Sequence, residues 1–165
     1  MDAAEQAVVA PVPEPSRSAP DTSKRVCVIT IGGEVFAIDL RHVREVFEVE
    51  AVTPVPGMPA ALAGVANLRG VIIPMVDLRG ILGVPGMGRP QPYAVVVRHG
   101  SQQIGVLVDQ VPEIKQVTQG DFLAAAGRLG QEATPFVNSV FRMEERIGGV
   151  VEVPMLLSYV EAGGR

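Results

Sequence analysis

Apolar residues in this chain fall into short runs separated by glycine and proline, a pattern typical of many short β-strands rather than long helices. Two such runs, residues 26–31 and 34–40, are joined at Gly32-Gly33, a dipeptide suited to the primed turn of a hairpin. These positions predict a first β-hairpin.

The segment after this hairpin has a different spacing of apolar positions. Leu40, Val43 and Phe47 are spaced by three and then four residues, which predicts a short helical turn with Glu45 exposed on another side. Pro59 as a first helical residue and Gly64 just past the end predict a second small helix over residues 59–63.

A second hairpin is predicted where Asn67-Leu68-Arg69-Gly70 interrupts an apolar run, because glycine supplies the positive φ that a tight turn requires. Pro74 cannot donate to a β-ladder, so its strand should lie at a sheet edge or contain a bulge. Asp77 is then expected to cap a brief helix over residues 78–82, which Gly83 closes in the left-handed conformation.

The second half of the chain repeats the first. A shift of 68 residues superimposes the first hairpin of the first half on similar side chains in the second half. A shift of 75 residues does the same for the second hairpin, and the difference of seven indicates one longer loop in the second half. The clearest pairs at the first shift are Gly32 with Gly100, Ala37 with Gly105, Val43 with Val111, Glu45 with Glu113 and Val46 with Ile114. We infer two lobes of one plan, and the many short strands favour small barrels.

Two segments lie outside this plan. Residues 1–24 contain four prolines, carry the wrong charge for a signal peptide, and are predicted to form a disordered tail. The longer loop, residues 118–138, is the least regular part, although Asp121 could cap a helical turn over residues 122–126.

Composition and charge narrow the function classes. A chain of 165 residues that is 47% hydrophobic can fold as one domain or as two small lobes with a shared core. The net charge of −4, with no cluster of Lys and Arg, argues against nucleic acid as a partner, and no apolar run is long enough to insert in a membrane. The single Cys27 lies in an apolar run and reads as a small core residue in a reducing compartment.

No constellation of catalytic, metal-binding or cofactor-binding residues is found. His42 and His99 have no cysteine or carboxylate at metal-ligand spacing, and the glycine-rich residues 85–90 lack the Lys-Ser/Thr of a phosphate loop, which makes them a linker. Of the carboxylates near the motifs, Asp39 and Asp109 are expected to point out of their strands. A protein without such a constellation can still act by contact with other proteins.

Two alternatives stay open for the residues that could make such contacts. Val43, Val111 and Ile114 are either core residues at the barrel rims or the lining of an apolar groove between the lobes that receives a partner's helix. Arg69 either ties its turn to backbone carbonyls or recognises a carboxylate on another protein.

The second hairpin resembles the signature of the CheW-like family, the coupling proteins of bacterial chemotaxis. The family segment G-V-x-N-L-R-G-x-x-I-P-x-x-D-L is matched here by Gly64, Val65, Asn67, Leu68, Arg69, Gly70, Ile73, Pro74, Asp77 and Leu78. Thr53-Pro54-Val55-Pro56 with Pro59, and Val43-Arg44-Glu45-Val46, are similar to the segments that precede it in the family. The likeness extends over residues 26–159, roughly four fifths of the chain.

This resemblance implies a mostly β fold of two five-stranded, SH3-like barrels within one CheW-like domain over residues 25–162. The first lobe is expected at residues 25–84 and the second at 92–160, with exchange of strands between them left open. The implied function is a non-catalytic, cytoplasmic adaptor without cofactors that joins the tip of methyl-accepting chemoreceptors to the regulatory domain of the chemotaxis histidine kinase. An adaptor of the same fold in a pilus or surface-attachment array is the alternative, and a small β-barrel enzyme or oligonucleotide binder is a third.

The resemblance also implies which residues contact the receptor, whereas residues that contact the kinase are not identified. The positions that match the family's receptor-binding region are Val43, Glu45, Gly64, Arg69, Gly105, Val111 and Ile114.

Overall fold

The computed structural model describes residues 23–124 and 134–163 of the chain. Within these ranges there are eleven β-strands and two α-helices. The strands are β1 (Ser23–Ile31), β2 (Glu34–Asp39), β3 (Val43–Glu48), β4 (Leu62–Leu68), β5 (Val71–Val76), β6 (Tyr93–His99), β7 (Gln102–Val108), β8 (Glu113–Thr118), β9 (Phe122–Ala124), β10 (Val137–Met143) and β11 (Arg146–Val151). The helices are α1 (Arg79–Leu82) and α2 (Val153–Glu161), and neither is long and apolar enough to cross a membrane.

The strands form two sheets, which we call the five-stranded lobe and the six-stranded lobe. Their strand orders are β3-β6-β7-β5-β4 and β9-β10-β11-β2-β1-β8. Apart from the short β9, the two orders follow the same plan, because the six-stranded order read from its other end is β8-β1-β2-β11-β10. Each sheet contains one parallel pair, β5 with β7 and β11 with β2. The duplication inferred from the sequence is therefore confirmed, while the expected count of five strands is short by one in the second sheet.

Each sheet takes a hairpin from the other half of the chain. The hairpin β1–β2 belongs to the six-stranded lobe, and the hairpin β6–β7 belongs to the five-stranded lobe. The contiguous ranges 25–84 and 92–160 each contribute strands to both sheets. The two halves of the chain therefore exchange strands, which the sequence had left open. Strand β1 also begins at Ser23, two residues before the expected start of the domain at residue 25.

Three apolar clusters fill the structure. One lies inside the five-stranded lobe and includes Ile73, Met75, Val96 and Leu107; one lies inside the six-stranded lobe and includes Val26, Val28, Ala37 and Phe141. The third, which we call the central core, lies between the lobes and includes Cys27, Ile29, Ile31, Phe36, Ile38, Val95, Val97, Val106, Val108, Leu156 and Leu157. Burial raises the pKa of the Cys27 thiol to about 11, in keeping with its predicted place in the core.

Several local predictions are confirmed around the second hairpin. Arg69 and Gly70 both have positive φ, at 55° and 84°, and the Asn67 side chain accepts a hydrogen bond from the Gly70 N–H at 2.9 Å. Gly83 ends α1 with φ of 70°. Pro74 lies where β5 pairs only with β4, because the parallel pairing with β7 is confined to the last two residues of β5.

Three predicted helical segments are wrong, and each fails because strand pairing overrides a local spacing. Only residues Leu40–His42 form a 3-10 turn, after which Val43–Glu48 is a strand paired with β6. Residues 59–63 contain one turn, with the Leu62 N–H bonded to the Pro59 carbonyl, before β4 begins. Phe122–Ala124 pairs with β10 as a strand, and residues 125–126 lie outside the described ranges.

We predict that Gly64→Ala lowers the melting temperature, at a cost on the order of 2–4 kcal/mol. An added Cβ at Gly64 would lie 2.3 Å from the carbonyl oxygen of Thr53, and the φ of 150° is itself unfavourable for alanine. Thermal unfolding followed by circular dichroism checks this. Gly80→Ala is the matched control, since nothing lies within 4 Å of its Cβ position; equal melting temperatures for the two variants would contradict the prediction.

Candidate functional site

The seven residues implied by the resemblance differ in their accessibility. Arg69, Val111 and Ile114 are exposed, Val43 and Glu45 are half-buried, and Gly64 and Gly105 are buried. Five of the seven belong to the five-stranded lobe, in β3, β4, β7 and the turn between β4 and β5, whereas Ile114 lies in β8 and Val111 just before it. The set is therefore composed of surface side chains and of buried glycines that shape the backbone beneath them.

The two glycines act through the space they leave. Gly64 lies in a bulge of β4, where the backbone of Thr53 crosses and pairs with Val65. Gly105 lies in β7, and an added Cβ would be 2.7 Å from the sulfur of Met75, inside the five-stranded lobe. Neither residue carries a side chain, so each acts by fixing the shape of this lobe.

Glu45 and Arg69 form an ion pair that joins opposite edges of the five-stranded lobe. Strands β3 and β4 are the two edges of this sheet, and an Arg69 Nη1 lies 2.9 Å from Glu45 Oε1. The Glu45 side chain is 27% exposed and that of Arg69 is 76% exposed. The prediction of an exposed Glu45 is therefore wrong, and the Arg69 guanidinium meets a carboxylate of its own chain rather than backbone carbonyls.

A bulge in β3 directs Val43 and Glu45 to opposite faces of the sheet. Val43 pairs with Val97, which belongs to the central core, whereas Glu45 pairs with Val96, which lies inside the five-stranded lobe. Val43 accordingly packs against the central core, and Glu45 remains on the inner face with Arg69. The register shift thus separates the apolar from the charged part of the site.

Val111 and Ile114 remain on the surface. Ile114 pairs with Cys27 and so lies on the face of its sheet that is directed towards the central core, yet its side chain is 53% exposed because β8 is an edge strand. Val111 is 57% exposed. The interpretation of these two residues as rim core is wrong, while Val43 does contact the central core.

In the described part of the chain, the space between the lobes is filled and does not form an open groove. Both exchanged hairpins, α2 and the loops around Ala61 and Phe136 fill it with the buried side chains of the central core. What remains accessible is its rim, where edge strands β3 and β8 carry apolar side chains on the faces directed towards that core.

Val46 is a rim residue that the sequence reasoning did not select. Val46 pairs with Val95 of the central core and is 40% exposed. In the same way, Ile114 pairs with Cys27 of the central core and is exposed. The signal was present in the sequence, because the 68-residue shift superimposes Val46 on Ile114. The two positions are equivalent members of the duplicated plan.

Arg79, which directly follows the segment that matches the family signature, holds the linker in place. Its side chain is 7% exposed, and its Nε and Nη2 donate to Asp77 at 3.0 and 2.7 Å. Its Nη1 donates to the carbonyls of Gly86 and Arg89. Partial burial opposes ionisation of Asp77, but the hydrogen bonds from Arg79 outweigh it and hold the pKa of this carboxyl below its usual value.

Asp109, just past the end of β7, connects the two lobes. Its carboxylate accepts a hydrogen bond from the Gly33 N–H at 3.0 Å, and its own N–H donates to the Thr30 carbonyl at 2.9 Å. The end of β7 is thereby fastened to the turn of the β1–β2 hairpin.

His42 and His99 pack edge to face with ring centroids 5.7 Å apart, beside β3.

Comparison with known proteins identifies the relatives of this chain. The model of the CheW-like domain matches residues 25–161. The chemotaxis protein CheW of Klebsiella aerogenes is 30% identical over 135 residues, which cover 81% of each chain. Protein PilI of Pseudomonas aeruginosa is 32% identical over 116 residues, covering 70% of this chain and 65% of PilI.

A solved structure has the same fold. The scaffolding protein TtCheW of Thermoanaerobacter tengcongensis superimposes with a TM-score of 0.73 at 24% identity, covering 86% of this chain and 95% of that chain. The two sheets described above are therefore the two SH3-like β-lobes of this fold.

We predict that Arg79→Leu destabilises the protein by about 2–4 kcal/mol, because it leaves the largely covered Asp77 carboxylate and two carbonyls without their donor. Chemical denaturation measures the change. Arg98→Leu is the control, since Arg98 is exposed and donates only to the Gly100 carbonyl among the described residues. Similar unfolding free energies for both variants would show that the Arg79 contacts are dispensable.

Proposed function

The chain belongs to the CheW-like domain family, and on this premise we propose that it couples methyl-accepting chemoreceptors to a chemotaxis histidine kinase. The observation that carries the proposal is the family match over residues 25–161, together with relatives named as chemotaxis proteins. Such an adaptor acts by binding and has no turnover of its own. It resides in the cytoplasm and reaches membrane-associated arrays through its partners.

The receptor surface in this proposal is the rim of the central core. Val43, Val46, Val111 and Ile114 supply apolar contact area there, and a helix of the receptor tip lies against them. Full burial of one such side chain contributes on the order of 1.5–3 kcal/mol before the cost of association, so a few exposed aliphatic residues suffice for a weak, reversible contact. Arg69 adds a charged contact, since only part of its fork is engaged by Glu45.

The kinase occupies a second surface on other edges of the lobes. Several weak contacts to receptor and kinase gain avidity when many copies assemble in one array. Coupling further requires that the adaptor bind the kinase-on and kinase-off arrangements with different affinity, because equal binding to both shifts no equilibrium. The fastening of the two lobes through Asp109 and the central core supports this role, since a rigid body can transmit a change of geometry.

An adaptor of a pilus or surface-attachment array is the second candidate. The similarity to PilI favours it, because PilI is not named as a chemotaxis protein and yet its sequence identity to this chain, 32%, is as high as the 30% of the chemotaxis protein CheW of Klebsiella aerogenes. Purifying the native, full-length chain from its own cells and identifying the receptor and kinase that accompany it decides between the two. Recovery of neither a receptor nor a histidine kinase would contradict both.

We predict that Ile114→Asp and Val111→Asp each weaken binding to a soluble fragment of the chemoreceptor tip by at least about tenfold, because the complex would bury an uncompensated charge. Both side chains are exposed in the free protein, so its melting temperature should hardly change. Ile147→Asp is the matched control, since Ile147 is also 53% exposed but lies in β11. Equal affinities for all three variants would contradict the rim as the receptor surface.

Exchanging the charges of Glu45 and Arg69 separates the two roles of this ion pair. We predict that Arg69→Ala costs less than about 1 kcal/mol of stability, because the Arg69 side chain is largely exposed to solvent, but weakens receptor binding several-fold. The double variant Glu45→Arg/Arg69→Glu should regain stability without regaining affinity. If the exchange restores affinity as well, Arg69 serves only to hold its turn.

A further inference from the structure

A cavity of about 770 Å³ opens at the end of the β1–β2 hairpin, beside the rim of the central core. Its walls include Lys24, Arg25, Arg41, Asp39 and Gln116. Lys24 and Asp39 lie on the face of the sheet that carries Val26, whereas Arg25 and Gln116 lie on the face that carries Cys27. Three cationic side chains and one carboxylate thus line the cavity from the two sides of the strand ends, in a chain whose net charge is −4. The cavity is a local reversal of the charge of the molecule and suits an anionic group.

Asp39 does not cancel this positive charge. Its carboxylate lies 2.9 Å from Arg41 Nη2 and 3.3 Å from Lys24 Nζ. Partial burial opposes its ionisation, but the hydrogen bonds and charges of Arg41 and Lys24 prevail and lower its pKa to about 2. One carboxylate is therefore fixed between two cations, and three positive charges against one negative leave the site cationic at neutral pH.

The strand register places this cavity in line with the proposed receptor surface. Arg25 pairs with Gln116, and Cys27 pairs with Ile114, so Arg25 and Gln116 lie on the same face of the sheet as Ile114. Gln116 follows Ile114 by two residues, which is about 6.5–7 Å along a strand. One helical turn advances about 5.4 Å, so an apolar anchor and a group one turn away can engage Ile114 and the cavity together.

We propose that this cavity receives a carboxylate of the receptor helix, from an Asp or Glu placed one turn from the apolar residue that contacts Ile114. The proposal rests on the receptor-coupling function above and specifies the chemistry of that partner: an apolar stripe continued by an acidic side chain. Arg25 supplies the planar guanidinium that suits a carboxylate, on the face of the sheet that carries Ile114, while Lys24 and Arg41 are engaged by Asp39. The apolar rim then contributes affinity, and the charged cavity fixes the register of the helix.

Calorimetric binding of the full chain to a soluble chemoreceptor-tip fragment tests this. Arg25→Glu should weaken binding by about tenfold or more, and Arg25→Gln by a few-fold. Arg89→Glu makes the same change of charge in the linker between α1 and β6 and should stay within about twofold of the wild type. The affinity of the wild type should also fall more steeply with salt than that of Arg25→Gln, while melting temperatures show that the variants are folded.

The variants distinguish failure of this inference from failure of the proposed function. If the wild type binds and Ile114→Asp weakens binding, but Arg25→Glu matches Arg89→Glu, the carboxylate site is wrong and the adaptor function stands. If the wild type does not bind the fragment, the proposed function itself fails. Saturable binding of inorganic phosphate that Arg25→Glu abolishes, with receptor affinity unchanged, would assign the cavity to a free anion and overturn the proposal.

Discussion

The structure depends on two hairpins that are buried on both faces. In β1, Val26 and Val28 point into the six-stranded lobe, while Cys27, Ile29 and Ile31 point into the central core. Strand β6 does the same, with Ala94 and Val96 inside the five-stranded lobe and Val95 and Val97 in the central core. A strand with two apolar faces must be covered twice, and exchange of hairpins between the halves covers both at once. Removal of either lobe would therefore expose the central-core face of the other.

This arrangement also determines which part of the central core stays accessible. Because the hairpins occupy the space between the lobes, the described residues leave that core accessible at the edge strands β3 and β8, which flank the hairpins in equivalent positions of the two sheets. Their core-directed side chains, Val46 and Ile114, are partly uncovered for that reason. The duplicated fold thus carries two equivalent apolar edges, and the charges around them differ: an ion pair between Glu45 and Arg69 on one, a cationic cavity beside the other.

Backbone geometry at a few points holds these edges in position. Gly64 admits the crossing backbone of Thr53, and Arg79 binds the carbonyls of the linker from a nearly buried position. Both contacts are internal to the chain, and each holds neighbouring backbone segments in a fixed relative position.

The sequence by itself determined the turn at Arg69-Gly70, the glycine that ends α1, the duplication and the family, since each is encoded by neighbouring residues or by similarity between segments. Only the tertiary structure decided that residues 43–48 form a strand, that Glu45 is held by Arg69, and that each hairpin joins the opposite half. The physical reason lies in the pattern itself: a strand that is apolar on both faces has no alternation to reveal its partner, and its pairing is chosen by the surfaces that the whole chain must cover.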